Sequence, residues 1–399
     1  MIRARALSRA AQPTEADSIG AGNIHISATA VVNAGRILKE TLSVARSGLF
    51  SSVIICGTAE PGLPRHQDLT HGRRIERVGS EVVGRNRHVL GRIREQLSWS
   101  RAVFKRYSSA DVTVINAHSV AVLPVCYLLS RRCRAKLIYD THELETETVA
   151  TRGLQGVIFK CIERLLITKC DAIFVVNESI ADWYRKRYPG VRPVIIRNIP
   201  RIEEREQPAG LRDLLSIPAG KLLFIHVGHL VKGRNIQAIL AAFSSLAAEA
   251  HIIFLGQGEF EERVRAYCAR YPNIHWLTPV PPDQVVRYVA ACDVGLCLIE
   301  PGCLSYKLSL PNKAFEYIKA GIPFFFTDLP EVNRLLGSSF DEWRIGEPAR
   351  DLRGAVSRLT VTAVAEAKAS LAAFCLPPWD EEAKAMVDAY ASLIASASH

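Results

Sequence analysis

None of the ten cysteines forms a Cys-x-x-Cys pair; they are scattered at 56, 126, 133, 161, 170, 268, 292, 297, 303 and 375. Neither a zinc knuckle nor a disulfide framework spaces cysteine that way, so reduced thiols, mostly in the core, are expected. Long apolar runs are lacking too. The longest, Val120 to Leu129, is about half of the roughly 20 residues that a spanning helix needs, which excludes a membrane span. No Gly-x-x-x-x-Gly-Lys-Ser/Thr loop is present, so a nucleotide hydrolase of that type is not expected. The first fourteen residues carry Arg3, Arg5 and Arg9 and no acid, without the apolar segment of a secretory signal. Residues 1–22 therefore read as a flexible basic extension, and the cytoplasm is the expected compartment.

What is present fits a globular chain of two domains. With 399 residues, 48% hydrophobic and 23% charged, the sequence excludes wholesale disorder and is too long for one small core. The net charge of +10 is unevenly spread. Residues 1–200 hold 30 Lys and Arg against 17 Asp and Glu, while residues 201–399 hold 20 against 23. The first half is built to meet something anionic.

Short β-branched runs alternate with helical patterns, which predicts βαβ units and two doubly wound, Rossmann-like α/β domains. Strands are expected at 23–28, 52–56, 112–118, 136–142, 172–177 and 193–197, then at 222–227, 251–256, 274–277, 294–299 and 323–327. Arg197 to Arg201, with the charged stretch 203–206, reads as the linker. The expected domains are then 23–200 and 201–376, followed by an amphipathic helix in 377–399 that opens on Pro377-Pro378-Trp379-Asp380. Sheets of this kind bind ligands beyond the carboxyl ends of their strands.

Gly256-Gln257-Gly258 is a partial dinucleotide fingerprint, but its third glycine is missing. Glu259, Glu261 and Glu262 occupy the next helix start, where a pyrophosphate would be repelled. A tight strand-to-helix turn is the simpler reading. Ser309-Leu310-Pro311-Asn312-Lys313-Ala314-Phe315-Glu316-Tyr317, ending at Ala320-Gly321-Ile322-Pro323, is a helix with Pro at its start and Gly at its end. Its free N–H groups and Lys313 suit a diphosphate, and Glu316 sits one turn on, where a carboxylate can accept from a ribose diol. An ordinary capped helix with solvated charges fits the same pattern.

That segment closely resembles the donor-binding helix of GT-B glycosyltransferases, particularly glycosyltransferase family 4. Other segments are similar in the right order. Leu223 to Leu230 with Gly233-Arg234 resembles the phosphate loop of the second domain, and Ala291-Cys292-Asp293-Val294-Gly295-Leu296 the strand before the donor helix. Tyr139-Asp140-Thr141-His142-Glu143-Leu144 and Ala117-His118-Ser119 resemble acceptor-domain loops, and Trp379 with the last helix a segment crossing back to the first domain. The resemblance implies a retaining transfer from a nucleotide-diphosphate sugar to a glycan or lipid-linked acceptor, with no catalytic metal. It assigns Arg234 and Lys313 to the leaving diphosphate and His118 to the reacting centre. Gly228, His229, Lys232, Ser309, Leu310, Pro311, Asn312 and Glu316 fall to the donor, and Gly35, Asp140, His142 and Glu143 to the acceptor. Asp140, His142 and Glu143 fit helix capping equally well. His226 and His229 show no third metal ligand nearby.

Three positions depart from the family pattern. The first member of its Glu-x7-Glu pair falls on Leu308, leaving only Glu316; its Gly-Arg is Gly228-His229; its Lys-Gly is Arg234-Asn235. A nucleotide-sugar epimerase of the same fold and a non-catalytic sugar-nucleotide-binding protein are the rival readings. One stretch lies outside the resemblance's motifs. Residues 65–106 carry 11 Lys and Arg against 4 acids, and Val89, Leu90, Ile93, Leu97, Val103 and Phe104 recur at near-helical spacing among Arg85, Arg87, Arg92, Arg94, Arg101 and Lys105. With Trp99, that pattern suits either a helix on an anionic membrane surface or one packed on its own domain. No DNA- or RNA-binding signature accompanies the charge, so nucleic acid is not an expected partner.

Overall fold

The computed structural model describes residues 22–80, 89–149, 151, 153–201, 208–246, 249–374 and 376–395. The expected basic extension, save Gly22, lies outside them, as do Arg85, Arg87 and the charged stretch 203–206. The described cysteines are free thiols; Cys56, Cys126, Cys292 and Cys297 are buried, whereas Cys161 is exposed.

Two sheets form. The first comprises β1 (Gly22–Ile26), β2 (Val53–Thr58), β3 (His66–Asp68), β4 (Arg73–Val78), β5 (Val112–Ala117), β6 (Lys136–Asp140), β7 (Ala172–Val175) and β8 (Pro193–Ile195), in the order β3-β4-β2-β1-β5-β6-β7-β8. All its pairings are parallel except β3 with β4. The second comprises β9 (Leu222–Val227), β10 (Ala250–Leu255), β11 (Ile274–Leu277), β12 (Val294–Cys297), β13 (Phe324–Thr327) and β14 (Arg344–Ile345), all parallel in the order β11-β10-β9-β12-β13-β14. The strands β3, β4 and β14 escape sequence pattern because they are short or arginine-rich. In β4, Arg-Arg-Ile-Glu-Arg-Val hides its buried positions among charges.

The helices are α1 (Gly35–Ser47), α2 (Val89–Tyr107), α3 (Leu123–Cys133), α4 (Leu154–Leu166), α5 (Glu178–Arg187), α6 (Leu211–Leu214), α7 (Ile236–Ser244), α8 (Glu261–Arg270), α9 (Val285–Ala290), α10 (Leu304–Lys307), α11 (Asn312–Ala320), α12 (Pro330–Leu336), α13 (Pro348–Arg358), α14 (Val361–Ala372) and α15 (Trp379–Ala395). None is long and apolar enough to cross a membrane.

Strand residues alternate between the two faces of the first sheet. Leu137, Tyr139, Ile173 and Val175 join Trp99 and Val103 of α2 and Leu123, Cys126 and Leu129 of α3 in one core. Val53, Val114, Ile138 and Phe174 face the other way, onto Val44 of α1 and Trp379, Met386, Tyr390 and Ile394 of α15. The last helix thus completes the first domain, although the chain reaches it after the second. Three polar contacts fix its register: the Trp379 indole N–H donates to Ser43 Oγ at 2.9 Å, Arg197 pairs with Glu382 at 2.8 Å, and Asn116 bonds the Tyr390 hydroxyl.

The basic segment turns inward. Trp99, Val103 and Tyr107 of α2 are buried in the domain core, so these residues are not a membrane-facing surface; α2 is the packed amphipathic helix, with its arginines outward.

Replacing Tyr390 with alanine empties a fully buried aromatic site and removes the acceptor of the Asn116 side-chain N–H. The expected cost is about 3–5 kcal/mol, seen in urea or thermal melts as loss of the first-domain transition with the second-domain transition unmoved.

Candidate active site at the facing carboxyl ends

The carboxyl ends of the two sheets meet. Gly35, opening α1, lies against Pro282: a Cβ built on that glycine would stand 3.2 Å from the Pro282 Cβ. Ser305 Oγ donates to Glu143 Oε2 at 3.1 Å, the Asn177 amide donates to the Leu308 carbonyl at 2.9 Å, and the Ser179 N–H donates to Glu331 Oε1 at 3.0 Å. All of these residues lie just beyond a strand's carboxyl end or at the head of the helix that follows.

On the first domain, β1, β5 and β6 deliver a histidine array around one carboxylate. Asp140 is fully buried, and Arg36 of α1 holds it by a fork, Nη2 to Oδ1 at 2.7 Å and Nε to Oδ2 at 3.2 Å. Burial alone would raise the Asp140 pKa, but the guanidinium, then His142 and the hydrogen bond with His118, hold it well below the usual carboxylate range. His118 Nδ1 sits 3.0 Å from Asp140 Oδ2 and 3.1 Å from His142 Nε2, and His118 Nε2 lies 2.8 Å from His25 Nδ1. Burial depresses His118 and His25, and the Asp140 charge only partly restores them. Both ring nitrogens of His118 are thus engaged. His142, 3.3 Å from Asp140 through Nε2, is the exposed member of the array.

Two sets of side chains among the described residues have metal-like spacing: His118, Asp140 and His142, and His25, Glu40 and His118. In each, the carboxylate is already paired with the Arg36 guanidinium, at 2.7 Å for Asp140 and 2.8 Å for Glu40. That fixed positive charge opposes a cation in either place.

On the second domain the charges are arranged in the opposite way. Lys313, in the first turn of α11, is buried, and its Nζ has no hydrogen-bond partner. The same holds for Arg234 Nη1 and for both ring nitrogens of buried His226. Arg234 also lies over the Tyr306 ring, 4.5 Å from its centroid. Gly233 makes that approach possible, because a Cβ there would strike the ring at 2.7 Å and its φ is +85°. Burial pushes Lys313 down to about 8 and Glu316, one turn along, up to about 7. A buried donor without an acceptor costs about 1–3 kcal/mol, more when charged, and a bound anion would satisfy this cluster at once.

The structure gathers Gly228, Arg234, Lys313 and Glu316 around the end of β9 and the start of α11. Ser309 instead donates to the Tyr306 carbonyl at 2.8 Å, and the His229 and Lys232 side chains are exposed on the loop. Gly256 and Gly258 form a tight turn, since a Cβ on either would collide with backbone of Gly228 or Leu230. Sequence reasoning missed Arg36, His25 and a donor-site role for His226. An arginine and a histidine inside apolar runs carry no local signature, and only the fold brings them together. A cavity of about 540 Å³ lies elsewhere between the domains; Leu310 is its one expected site residue, and its charged walls include Arg197, Glu331, Arg334 and Glu382.

Two sheets meeting at their carboxyl ends, parallel throughout except at β3, with a glycine loop and a cation-bearing helix on the second, have the GT-B architecture. The family follows from sequence models: Glycosyltransferase Family 4 matches residues 45–201, and Glycosyl transferases group 1 matches residues 221–360. The chain is a glycosyltransferase family 4-like protein. Sucrose-phosphate synthase from Thermosynechococcus elongatus superposes with a TM-score of 0.74 at 15% identity, over 94% of this chain and 100% of that one. HepE of Anabaena, in complex with UDP-glucose, gives 0.66 at 14% identity, over 93% and 100%. TuaH of Bacillus subtilis (strain 168), named for teichuronic acid biosynthesis, is 32% identical over 72 residues, 16% of each chain. The alignment thus spans about a sixth of that curated relative's length.

An anion bound by Lys313 raises that lysine's pKa, so binding takes up a proton once the free lysine is neutral. Nucleoside-diphosphate affinity should therefore weaken as pH rises through about 8. Calorimetric titration from pH 6 to pH 9.5 checks this, and Lys313→Met should bind weakly at every pH and lose the slope.

Proposed function

We propose that this protein transfers a hexose-type sugar from a nucleotide-diphosphate sugar to a hydroxyl of a glycan or lipid-linked acceptor in cell-surface polysaccharide synthesis, with retention of anomeric configuration. The observation that carries the donor reading is the cluster of buried, unpartnered cationic and imidazole groups at Arg234, Lys313 and His226. HepE's complex with UDP-glucose and the teichuronic acid biosynthesis for which TuaH is named support the substrate class by likeness.

In this reading the diphosphate lies against Gly228, Arg234 and Lys313, and Glu316 accepts from the ribose hydroxyls. The bond between the anomeric carbon and the diphosphate oxygen breaks, and its electron pair leaves with the diphosphate, whose charge Arg234 and Lys313 stabilise. The acceptor oxygen bonds the anomeric carbon from the same face and passes its proton to the departing oxygen. His142, held by Asp140, is the group presented to the acceptor; His118 acts behind it as a positioning residue. No metal or cofactor is needed for these steps, because the cationic side chains carry the developing charge.

A thermal-shift panel of UDP, GDP and ADP with their sugar conjugates tests the donor assignment, since a ligand of the folded state raises the melting midpoint. One nucleotide class should give a clear shift; no shift with any of them overturns the reading, and turnover of the donor alone into an isomer assigns an epimerase instead. Glu316→Ala should weaken nucleotide affinity at least about tenfold. His142→Ala, at an exposed position, should leave that affinity unchanged and lower turnover about 10²-fold through loss of acceptor orientation.

A further inference from the structure

The loops after β5 and β6 carry His118 and His142, and one side chain straps the two loops together. Glu145 lies three residues after His142, and its Oε2 accepts from the Val120 N–H at 2.7 Å, two residues after His118. The strap closes a ring whose other link is His118 Nδ1 to His142 Nε2 at 3.1 Å. Each loop has an anchor of its own as well. The His118 N–H donates to the Ile26 carbonyl at 3.0 Å, and Thr146 donates to Glu163 Oε2 at 3.2 Å. Buried Glu163 also accepts from Tyr184 at 2.7 Å and Tyr188 at 3.1 Å. The short helical turn Glu145–Glu147 is thus tied to the core of the first domain, and it packs against α10 of the second.

What the strap holds is a strained turn. Ser119, between His118 and Val120, has a φ of +131°, a region that residues with a Cβ avoid. Such a conformation persists only where the surrounding contacts enforce it. The bonds within the turn are long: the Val122 N–H to the Ser119 carbonyl and the Leu123 N–H to the Val120 carbonyl are both 3.3 Å. The bond from Val120 to Glu145 is shorter than either, as charge-assisted bonds are. Position 145 is otherwise unfavourable for an acid. Burial raises the Glu145 pKa, the Val120 N–H works against that rise, and the charges of Glu143, Glu163 and Asp140 add to it. The contact with Val120 is what favours an acceptor there.

We infer that Glu145 is a positioning residue: by accepting from the Val120 N–H it holds the strained Ser119 turn against the loop after β6, and so sets the separation of His118 and His142. Without an acceptor at 145, Ser119 relaxes toward negative φ and carries the His118 backbone away from Asp140. The meaning of this for sugar transfer rests on the acceptor-side reading of the histidine array. The geometry itself does not depend on which donor or acceptor binds.

The test is ring-nitrogen NMR of the histidines in the full chain without ligand, with His118 and His142 assigned through His118→Gln and His142→Ala. Glu145→Met nearly keeps the volume and removes the acceptor, whereas Glu145→Gln keeps an oxygen that can accept from Val120. The methionine variant should shift and broaden the His118 and His142 ring signals, and its Val120 amide should exchange at least about tenfold faster. The glutamine variant should match the wild type. His251 and His275, stacked on β10 and β11 with Nδ1 and Nε2 3.1 Å apart, are the internal control and should not move. Adding Ser119→Gly to Glu145→Met should restore the histidine signals, because glycine keeps a positive φ without strain; adding Ser119→Ala should not. If the methionine variant does not fold, Glu145→Asp, one methylene too short to reach Val120, takes its place. Unmoved His118 and His142 signals overturn the inference, and so does failure of Ser119→Gly to restore them. A glutamine variant perturbed as much as the methionine one would assign the effect to charge, and movement of His251 and His275 would mean general loosening; either overturns it. A nucleotide panel without any thermal shift would refute the donor reading and leave these outcomes standing.

Discussion

The Arg36–Asp140 pair is the contact on which the histidine array of the first domain depends. Arg36 comes from α1, Asp140 from the end of β6, and the guanidinium also donates to the Ile196 carbonyl at 2.7 Å and pairs with Glu40 at 2.8 Å. One side chain thereby ties together the helix after β1, the central strand β6 and the segment leaving β8. Removing either member of such a buried pair strands a charge and typically costs about 3–5 kcal/mol. The function of the pair is positional as well. A carboxylate kept ionised by Arg36 has two oxygens fixed in space, and one of them sets the approach of both His118 and His142. His25 then fixes His118 from behind. Of this chain of contacts only His142 reaches solvent.

The two domains treat buried charge in opposite ways, and that contrast divides their labour. In the first, Arg36, Asp140 and Glu40 answer one another, so the array is complete without a ligand. In the second, Lys313, Arg234 and His226 are brought together by β9 and α11 with no internal acceptor. Mutual repulsion and burial depress Lys313, while burial raises Glu316. A site held in that condition gains most from a ligand bearing several negative oxygens and a diol, because each group left unsatisfied by the protein is satisfied by the ligand. Preorganisation of this kind costs stability in the empty protein and supplies affinity and charge stabilisation when the donor is present.

Much of this was legible in the sequence where local chemistry and tertiary role coincide. The strands β9, β10 and β13 are continuous apolar runs because both faces are covered; the donor helix announces itself through Pro311 and Gly321 at its ends. What stayed hidden depended on distance along the chain. Arg36 and Asp140 are 104 residues apart, and His25 and His118 are 93 apart; neither partner carries a mark of the other. Residues 65–106 misled in a different way. Trp99 and Val103 lie one turn apart, Leu97 falls on the opposite side of the helix, and periodicity alone does not say which of the two apolar sides is inward. Packing against α3 decided it. The strand β4, second from the sheet's edge, was concealed because Arg73 and Arg77 are buried through hydrogen bonds to backbone carbonyls, 2.8 Å to Leu38 and 2.8 Å to Ala30, rather than by apolar character.

The departure at Leu308 now has a physical account. In the family pattern that position carries a glutamate on the loop before the donor helix. Here Leu304 and Leu308 pack against the first domain's core, and the Asn177 amide caps the Leu308 carbonyl across the junction. A loop that elsewhere offers a carboxylate to a sugar has become an apolar anchor between domains. Both leucines are half-buried there, so each contributes part of the about 1.5–3 kcal/mol that a fully buried leucine is worth. Opening the junction must withdraw both, together with the Ser305–Glu143 and Ser179–Glu331 bonds that flank them. Leu308 therefore fastens the loop before α11 to the first domain where the family pattern has a carboxylate.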